Sequence, residues 1–254
     1  MRSETLESAE RPRARWVRPR IRDGFVWAWW SVATIVCVTV FEFLSLVGPR
    51  ALRAERYCRL VRTWGRLLAL GHRLDIEGAE RIPRDEPVLL VSNHQSSFDI
   101  PLLHAVLPVT FRWLARRDLF RIPFLGRAMR RMDAIEVDRV DKRSSSAALR
   151  AALDALKAGQ NVMVFPEGTW GEADGQMREF KVGAFALAHR SGVRVVPLTI
   201  IGSNRVNVPR TPYIHLGAVR VIVHEPLPAA AAQALDAATW LRELRETIGR
   251  PLRS

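Results

Sequence analysis

The pattern of apolar and polar positions changes near residue 70. Before it come a basic stretch, an uncharged apolar run and a basic amphipathic stretch; after it, short apolar runs alternate with segments of helical period. We predict strands in the segments RLDIEG, PVLLVSN, FRWLA, AIEVD, NVMVFPEG, VRVVPLTI and VRVIVHEPL. We predict helices over residues 99–107, 120–132 after Pro123, 144–159, 180–192 and 231–248, with serines capping the start of the third. This alternation predicts an α/β fold with a mixed, largely parallel sheet flanked by helices.

The apolar run near the start of the chain has the character of a membrane segment. No charged residue occurs between Gly24 and Phe41, a run of 18 residues, which is close to the minimum length of a membrane span. Four tryptophans, at positions 16, 27, 29 and 30, lie at its entrance, as they would in an interfacial belt. A secretory signal is the weaker interpretation, because no small-residue cleavage site follows the run.

The next stretch, residues 50–70, has the period of an amphipathic helix. One face carries arginines and the other carries apolar side chains, namely Tyr57, Leu60, Val61, Trp64, Leu67 and Leu68. Such a helix either lies in the plane of an anionic membrane or packs on the protein's own core, and the basic face favours the membrane.

Arginines flank the apolar run on both sides, seven before it and six from Arg50 to Arg66. A simple span would place one of these groups outside the cell, against the positive-inside tendency. We therefore expect a helical hairpin embedded from one side of the membrane rather than a span. The predicted organisation is a basic disordered arm at residues 1–24, a membrane-associated helical hairpin at 25–70 and an α/β domain at 71–254.

The charge balance predicts an anionic partner. The chain has 39 Lys and Arg against 26 Asp and Glu, a formal net charge of +13, which suits anionic lipid, phosphorylated substrates or an acidic protein. No nucleic-acid-binding motif occurs, and much of the charge lies beside the membrane-type segments, so we expect no nucleic acid partner. Cys37 and Cys58 predict no disulfide, and the six scattered histidines lack zinc-ligand spacing, so we expect no metal.

Two predicted strands end in polar turns, and ligands of open α/β sheets bind beyond the carboxyl ends of strands. One turn reads SNHQSSFD and the other PEGTW. If both turns face one cleft, His94 can act as a general base and Asp99 can hold its imidazole in the required tautomer. Ser96 and Ser97 are weaker nucleophile candidates, because no G-x-S-x-G elbow surrounds them. The same stretch is also compatible with an ordinary turn in which Asp99 caps the next helix.

The combination of segments resembles a known family. NHQSSFD, at residues 93–99, resembles the H-x-x-x-x-D motif of the glycerolipid and lysophospholipid acyltransferases. WLARRDLFRIPFLG followed by AIEVDR resembles the second block of that family, and VFPEGTW, at 164–170, resembles its F-P-E-G-T-R block. FKVGAFALAHRSGVRVVPLTI resembles the continuation to the fourth, proline-containing block. Order and spacing agree over about residues 70–227, and the likeness is to the 1-acylglycerol-3-phosphate acyltransferases.

The resemblance implies an enzyme at the cytoplasmic face of the cell membrane that needs no cofactor. Its donor would be acyl-CoA or acyl-carrier protein, and its acceptor a lysophospholipid, foremost lysophosphatidic acid, which becomes phosphatidic acid. The resemblance implies that His94 is the general base, Asp99 its orienting partner and Arg139 the ligand of the acceptor phosphate. It also assigns substrate binding to Arg116, Glu167, Gly168, Thr169 and Lys181.

Three positions depart from the family pattern. Arg116 replaces a lysine, Asp133 replaces a glycine before the second-block strand, and Trp170 replaces the arginine of the third block. The loss of that arginine keeps another acceptor open, such as a lyso-aminolipid, unless Arg178 or Lys181 supplies the charge. It also keeps open a membrane-anchored lipid-binding protein without catalysis, although the intact pair of His94 and Asp99 argues against that alternative.

Overall fold

A computed structural model describes residues 21–47, 53–138, 141–171, 175–209, 211 and 213–253 of the chain. Most of the predicted basic arm, residues 1–20, lies outside this part of the chain, and so does Arg139.

Seven strands form one sheet in the order β1-β7-β6-β2-β5-β3-β4. Every neighbouring pair is parallel except β6 and β7, which run antiparallel. This arrangement confirms the predicted mixed, largely parallel sheet. The strands are β1 (Arg73–Glu77), β2 (Val88–Ser92), β3 (Arg112–Arg116), β4 (Ile135–Val137), β5 (Val162–Val164), β6 (Arg194–Ile201) and β7 (Ala218–Val223).

The position of each strand follows from its composition. β2 is the apolar run VLLVS, and all five of its residues are buried because helices cover both faces of the sheet. β1 alternates exposed and half-buried residues, and it lies at one edge of the sheet.

Nine helices, counted within the described residues, cover the two faces of the sheet. One face packs against α1, α2, α3 and α4 around Phe98, and the other packs against α5, α6 and α9 around Trp240. The helices are α1 (Ile21–Val47), α2 (Arg53–Leu68), α3 (Asp99–Val106), α4 (Leu125–Arg131), α5 (Lys142–Lys157), α6 (Val182–Ser191), α7 (Ser203–Val206), α8 (Ala231–Ala234) and α9 (Ala237–Gly249).

Aspartate caps explain two of the differences between the predicted and the observed helices. α5 begins at Lys142, because the Asp141 side chain accepts a hydrogen bond from the Arg143 N–H at 2.9 Å, and the serines expected to cap it lie inside the helix. The predicted C-terminal helix is two helices: Leu235 is extended, and Asp236 caps α9 by accepting from two backbone N–H groups.

α1 and α2 form an antiparallel pair. The indoles of Trp29 and Trp30 donate to the backbone carbonyls of Leu67 and Leu68, at 2.7 and 3.0 Å, and the Trp64 indole donates to the Thr34 hydroxyl. Both acceptors are carbonyls in the last turn of α2, and the Leu67 carbonyl also accepts from the Leu70 N–H at 3.3 Å. The two helices predicted within residues 25–70 therefore pack against each other, with α1 beginning at Ile21 rather than at residue 25; a membrane-associated hairpin stays a prediction.

The apolar face of α2 packs on the protein's own core and not on a membrane. Val61 and Leu68 are buried, and Gly65 lies so close to α3 that a Cβ there would be 2.4 Å from the Pro101 carbonyl oxygen. Trp30, expected in an interfacial belt, is also buried and stacks on Phe98 with ring centroids 5.3 Å apart. Over residues 58–68 the core-packing alternative is thus correct, since a small residue lets α2 and α3 approach closely.

α1 has an exposed apolar surface. It is 27 residues long, about 40 Å at 1.5 Å per residue, and its segment Gly24–Leu44 is long and apolar enough to cross a membrane. Only 22% of the most apolar 18-residue stretch of this helix is buried. The exposed apolar side chains of α1 are Phe25, Trp27, Trp29, Val32, Ile35, Val36, Val40 and Phe43.

Candidate active site

Three polar turns meet at the carboxyl ends of the central strands. They follow β2, β5 and β6, which are parallel neighbours, so their carboxyl ends point the same way. The turns contain His94, Glu167 and Ser203 respectively. The structure therefore brings together the two turns singled out in the sequence and adds a third that was not.

His94 and Asp99 form a hydrogen-bonded pair. His94 Nδ1 lies 2.8 Å from Asp99 Oδ2, the histidine side chain is 13% exposed, and the carboxylate is fully buried. A carboxylate oxygen only accepts, so Nδ1 carries the ring proton and Nε2 is the basic nitrogen of the neutral imidazole. The ring lines a large cavity. This tautomer can accept a proton from a group in that cavity.

The Asp99 carboxylate does not cap α3. It accepts from the backbone N–H groups of Gln95 and Ser96, at 2.7 and 3.0 Å, which precede the helix. Its second oxygen accepts a hydrogen bond from the Ser203 hydroxyl. The expectation that Asp99 caps the helix is therefore wrong, because its acceptors are used by the turn that carries His94.

The β2 turn is also fastened to β6 and to the turn after it. The Asn93 side chain accepts from the Ile200 N–H at 2.7 Å and donates to the Ile200 carbonyl at 2.9 Å. The Gln95 side chain accepts from the Ser203 N–H at 3.2 Å. These side chains fix the backbone on either side of His94, so the imidazole has a defined position relative to the sheet.

Glu167 connects the β5 turn to His94 through the backbone. Its carboxylate accepts from the His94 N–H and from the Arg178 N–H, both at 2.8 Å, and only 1% of the residue is exposed. Burial raises the pKa of Glu167 above its ordinary value, although the two N–H donors act in the opposite direction. The Gly171 N–H in turn donates to the His94 carbonyl at 2.7 Å. Glu167 thus connects the turn that carries His94 to the segment that carries Arg178, and its carboxylate oxygens accept from backbone N–H groups.

Two aromatic rings enclose the imidazole. Phe165 stacks on His94 with centroids 4.0 Å apart, and Trp170 approaches edge-on at 6.3 Å. Trp170 lines the cavity, and its backbone carbonyl accepts from Arg178 Nε at 3.1 Å. The guanidinium of Arg178 therefore lies beside the position where the family pattern has an arginine.

The remaining residues of the PEGTW turn lie at the cavity wall. Gly168 has φ of +70°, a conformation that glycine adopts without strain, and a Cβ there would be 2.8 Å from Lys181 Nζ. The Lys181 side chain consequently lies across Gly168. Thr169 and Lys181 both line the cavity. The structure thus gathers Gly168, Thr169 and Lys181 beside His94.

Two predicted binding arginines lie in different situations. Arg116 is at the carboxyl end of β3 and lines the cavity, but its guanidinium is engaged in two hydrogen bonds to the Asp118 carboxylate, at 3.0 and 2.5 Å. Arg139 lies outside the described residues. Asp133 adopts φ of +48°, a left-handed conformation that glycine, the residue of the family pattern at this position, would adopt without strain.

The cavity extends from His94 to the N-terminal helices. Its volume is about 1240 Å³, larger than most small-molecule pockets, which occupy roughly 300 to 1,000 Å³. Its polar lining residues include Ser97, Thr169 and Lys181, and its lining is apolar where α1, α2 and α4 meet. The apolar part includes Trp30, Val38, Phe41, Trp64, Met129 and Met132. Such a lining suits a ligand with a polar head and a long apolar chain.

Sequence reasoning missed Asn93, Gln95 and Ser203. The signal for Ser203 was available, because it follows the apolar strand VVPLTII just as His94 follows PVLLV. The rule that ligands bind beyond strand ends applied to β6 as well as to β2 and β5. Asn93 and Gln95 gave no such signal, since polar residues are ordinary in any turn.

Comparison with known proteins gives a consistent result. Residues 73–201 match the family model named Acyltransferase. The chain is 32% identical over 241 residues to a chloroplastic 1-acyl-sn-glycerol-3-phosphate acyltransferase of Arabidopsis thaliana, covering 91% of this chain and 67% of that protein. It is 33% identical over 212 residues to a chloroplastic protein of the same name from Brassica napus, covering 80% and 61%. The chain thus spans about two thirds of the length of these plant relatives.

A solved structure is similar over nearly its whole length. The crystal structure of the 1-acyl-sn-glycerophosphate acyltransferase of Thermotoga maritima superposes with a TM-score of 0.80 at 26% identity. The match covers 92% of this chain and 95% of that one. The likeness therefore includes the N-terminal helices as well as the sheet.

The hydrogen bond from Ser203 to Asp99 predicts a stability effect. Ser203→Ala leaves one oxygen of a fully buried carboxylate unpaired, so we expect a loss of about 1 to 3 kcal/mol in the free energy of unfolding. Urea denaturation measures it, and Ser191→Ala, which removes a hydroxyl at the end of α6, is the matched control. A loss no larger than that of the control would contradict the assigned hydrogen bond.

Proposed function

The chain belongs to the Acyltransferase family, and from that premise we propose that it transfers a fatty acyl group from an acyl thioester to the free hydroxyl of lysophosphatidic acid, giving phosphatidic acid. The protein is an acyltransferase of the 1-acylglycerol-3-phosphate type and so an enzyme of phospholipid biosynthesis. The proposed donor is acyl-CoA or acyl-carrier protein. The observation that carries the proposal is the His94 ring, held by Asp99 through Nδ1 and lining a large, mostly apolar cavity.

In the proposed mechanism His94 is a general base and no covalent intermediate forms. His94 Nε2 takes the proton of the acceptor hydroxyl while the hydroxyl oxygen attacks the thioester carbon. The carbon–sulfur bond then breaks, and the imidazolium returns the proton to the departing thiolate. Asp99 stabilises the imidazolium through Nδ1. General-base assistance contributes typically 10² to 10⁴-fold, so positioning of the two substrates must supply most of the remaining rate.

The proposed placement of the substrates follows the polarity of the cavity. The fatty acyl chain occupies the apolar part between α1, α2 and α4. The acceptor's polar head lies by the PEGTW turn, where Lys181 and Thr169 line the wall. Arg139 follows β4 by two positions, and we assign the acceptor phosphate to it, since a guanidinium binds two phosphate oxygens at once.

We further propose that the protein binds to the cytoplasmic face of an anionic membrane through α1 without crossing it. The exposed apolar face of α1 supports binding. The antiparallel return of α2 supports the one-sided arrangement, because its Arg59, Arg62 and Arg66 would otherwise lie at the depth of the hydrocarbon core. In this arrangement the cavity stays on the side of the donor.

The general-base assignment predicts the effect of His94→Ala. We expect kcat/KM to fall by at least about 100-fold with unchanged folding and membrane binding, because the hydroxyl loses its proton acceptor. Thioester consumption with lysophosphatidic acid present measures the rate, and His189→Ala, on the exposed side of α6, is the control. Asp99→Asn should also lose most activity through the wrong imidazole tautomer. His94→Ala activity within about tenfold of the wild type would exclude the base role.

The phosphate assignment predicts that Arg139→Ala weakens the use of lysophosphatidic acid. Loss of a charge-assisted hydrogen bond of about 1.5 to 3 kcal/mol lowers kcat/KM for the acceptor by roughly 10 to 150-fold. Thioester affinity should change much less. Arg139→Lys should restore activity only in part, because the ammonium lacks the planar fork of the guanidinium.

The identity of the acceptor is tested by comparing different lysolipids. A panel of lysolipids with one acyl thioester, with product lipids identified by mass spectrometry, should give lysophosphatidic acid as the preferred acceptor. Trp170, which replaces the family's arginine, is the residue that favours an acceptor without a free phosphate. Unchanged kinetics of Arg139→Ala, together with preference for a zwitterionic or amino-acid head group, would replace lysophosphatidic acid with a lyso-aminolipid.

The one-sided membrane arrangement predicts a labelling result. In a protein whose Cys37 and Cys58 are replaced by alanine, Glu10→Cys and Glu243→Cys should both resist an impermeant thiol reagent in intact cells. Both should react after permeabilisation, which is the control for accessibility. Reaction of only one of them in intact cells would establish a span.

A further inference from the structure

The turn before α4 has a strained backbone. Phe124 has φ of 62° and ψ of −55°, and the Leu125 N–H donates to the Pro123 carbonyl at 2.7 Å. This is a three-residue γ-turn of the rarer, strained hand. A bulky non-glycine residue with positive φ is an outlier, and outliers of this kind cluster at sites of function.

The neighbouring residues hold the turn in this conformation. Phe120 is buried, and its carbonyl oxygen would be 2.0 Å from a Cβ on Gly126, so the two segments of backbone lie in close contact. Arg130 donates to the same carbonyl at 3.0 Å, and its guanidinium lies 5.9 Å from the centre of the Phe120 ring. The strained turn therefore stands on a packed base.

The tip of the turn is exposed and apolar. Ile122 is 46% exposed and Phe124 is 59% exposed, yet both also line the cavity that contains His94. Two exposed apolar residues of α1, Trp27 and Ile35, share this property. The cavity therefore opens between two apolar rims, one on α1 and one on the strained turn. Contiguous exposed apolar surface at the mouth of a cavity marks an interaction site.

The charges around the tip indicate what it contacts. Arg121 and Arg127 are both exposed and lie on either side of the turn. An arginine near an anionic bilayer is attracted to its surface. Apolar side chains flanked by arginines, beside the exposed apolar face of α1, match a bilayer interface with anionic head groups.

We propose that the tip Ile122–Phe124 inserts into the interface of an anionic bilayer beside α1. Insertion of the tip does not rest on the proposed function. The strained turn directs the Phe124 side chain away from the core, and its packed base keeps the side chain there when the bilayer is absent.

Insertion is tested by depth-dependent quenching. An environment-sensitive fluorophore is attached to Phe124→Cys in the chain with Cys37 and Cys58 replaced by alanine, and vesicles of phosphatidylglycerol and phosphatidylcholine carry a spin-labelled acyl chain. We expect quenching of this label and none at Leu216→Cys, an exposed apolar position outside the cavity wall. Equal quenching at both positions, or none at Phe124→Cys, would overturn the insertion.

Discussion

The burial of one carboxylate organises the site. Asp99 has no solvent exposure, and within the described residues it is compensated by four hydrogen-bond donors: His94 Nδ1, the N–H groups of Gln95 and Ser96, and the Ser203 hydroxyl. A buried charge is tolerated only when it is fully hydrogen-bonded or paired. Because the donors come from the turns after β2 and β6, both turns must be in place before the charge is satisfied. The need to supply hydrogen-bond donors to the buried Asp99 carboxylate thus fixes the position of the imidazole.

A second buried carboxylate extends this constraint to β5. Glu167 accepts from the backbone of His94 and of Arg178, so the turn that carries His94 cannot move independently of the PEGTW turn. The cavity wall formed by Gly168 and Thr169 is therefore set in register with the imidazole. Backbone donors do this well, because their geometry is fixed once the flanking strands are paired.

The N-terminal helices are part of the same packed unit. Trp30 of α1 stacks on Phe98, the residue before Asp99, and α2 packs on α3 at Gly65. α1 consequently has two faces with different roles: one contributes to the core beneath the site, and the other is apolar and exposed. A shift of α1 on a membrane surface would displace Phe98, since close-packed cores transmit displacement.

The sequence by itself determined the mixed α/β sheet, the strands that end at the site and the pair of His94 and Asp99. Apolar runs such as VLLVS can be buried only in the middle of a covered sheet, and polar turns after such runs fall at one edge. Only the tertiary structure decided the partners. Ser203 meets Asp99 across 104 residues of sequence, and local periodicity contains no information about such contacts. Likewise the amphipathic pattern of residues 53–68 is the same for a helix on a membrane and a helix on a core. The close approach to α3 at Gly65 decided for the core, because the alternatives differ only in what covers the apolar face.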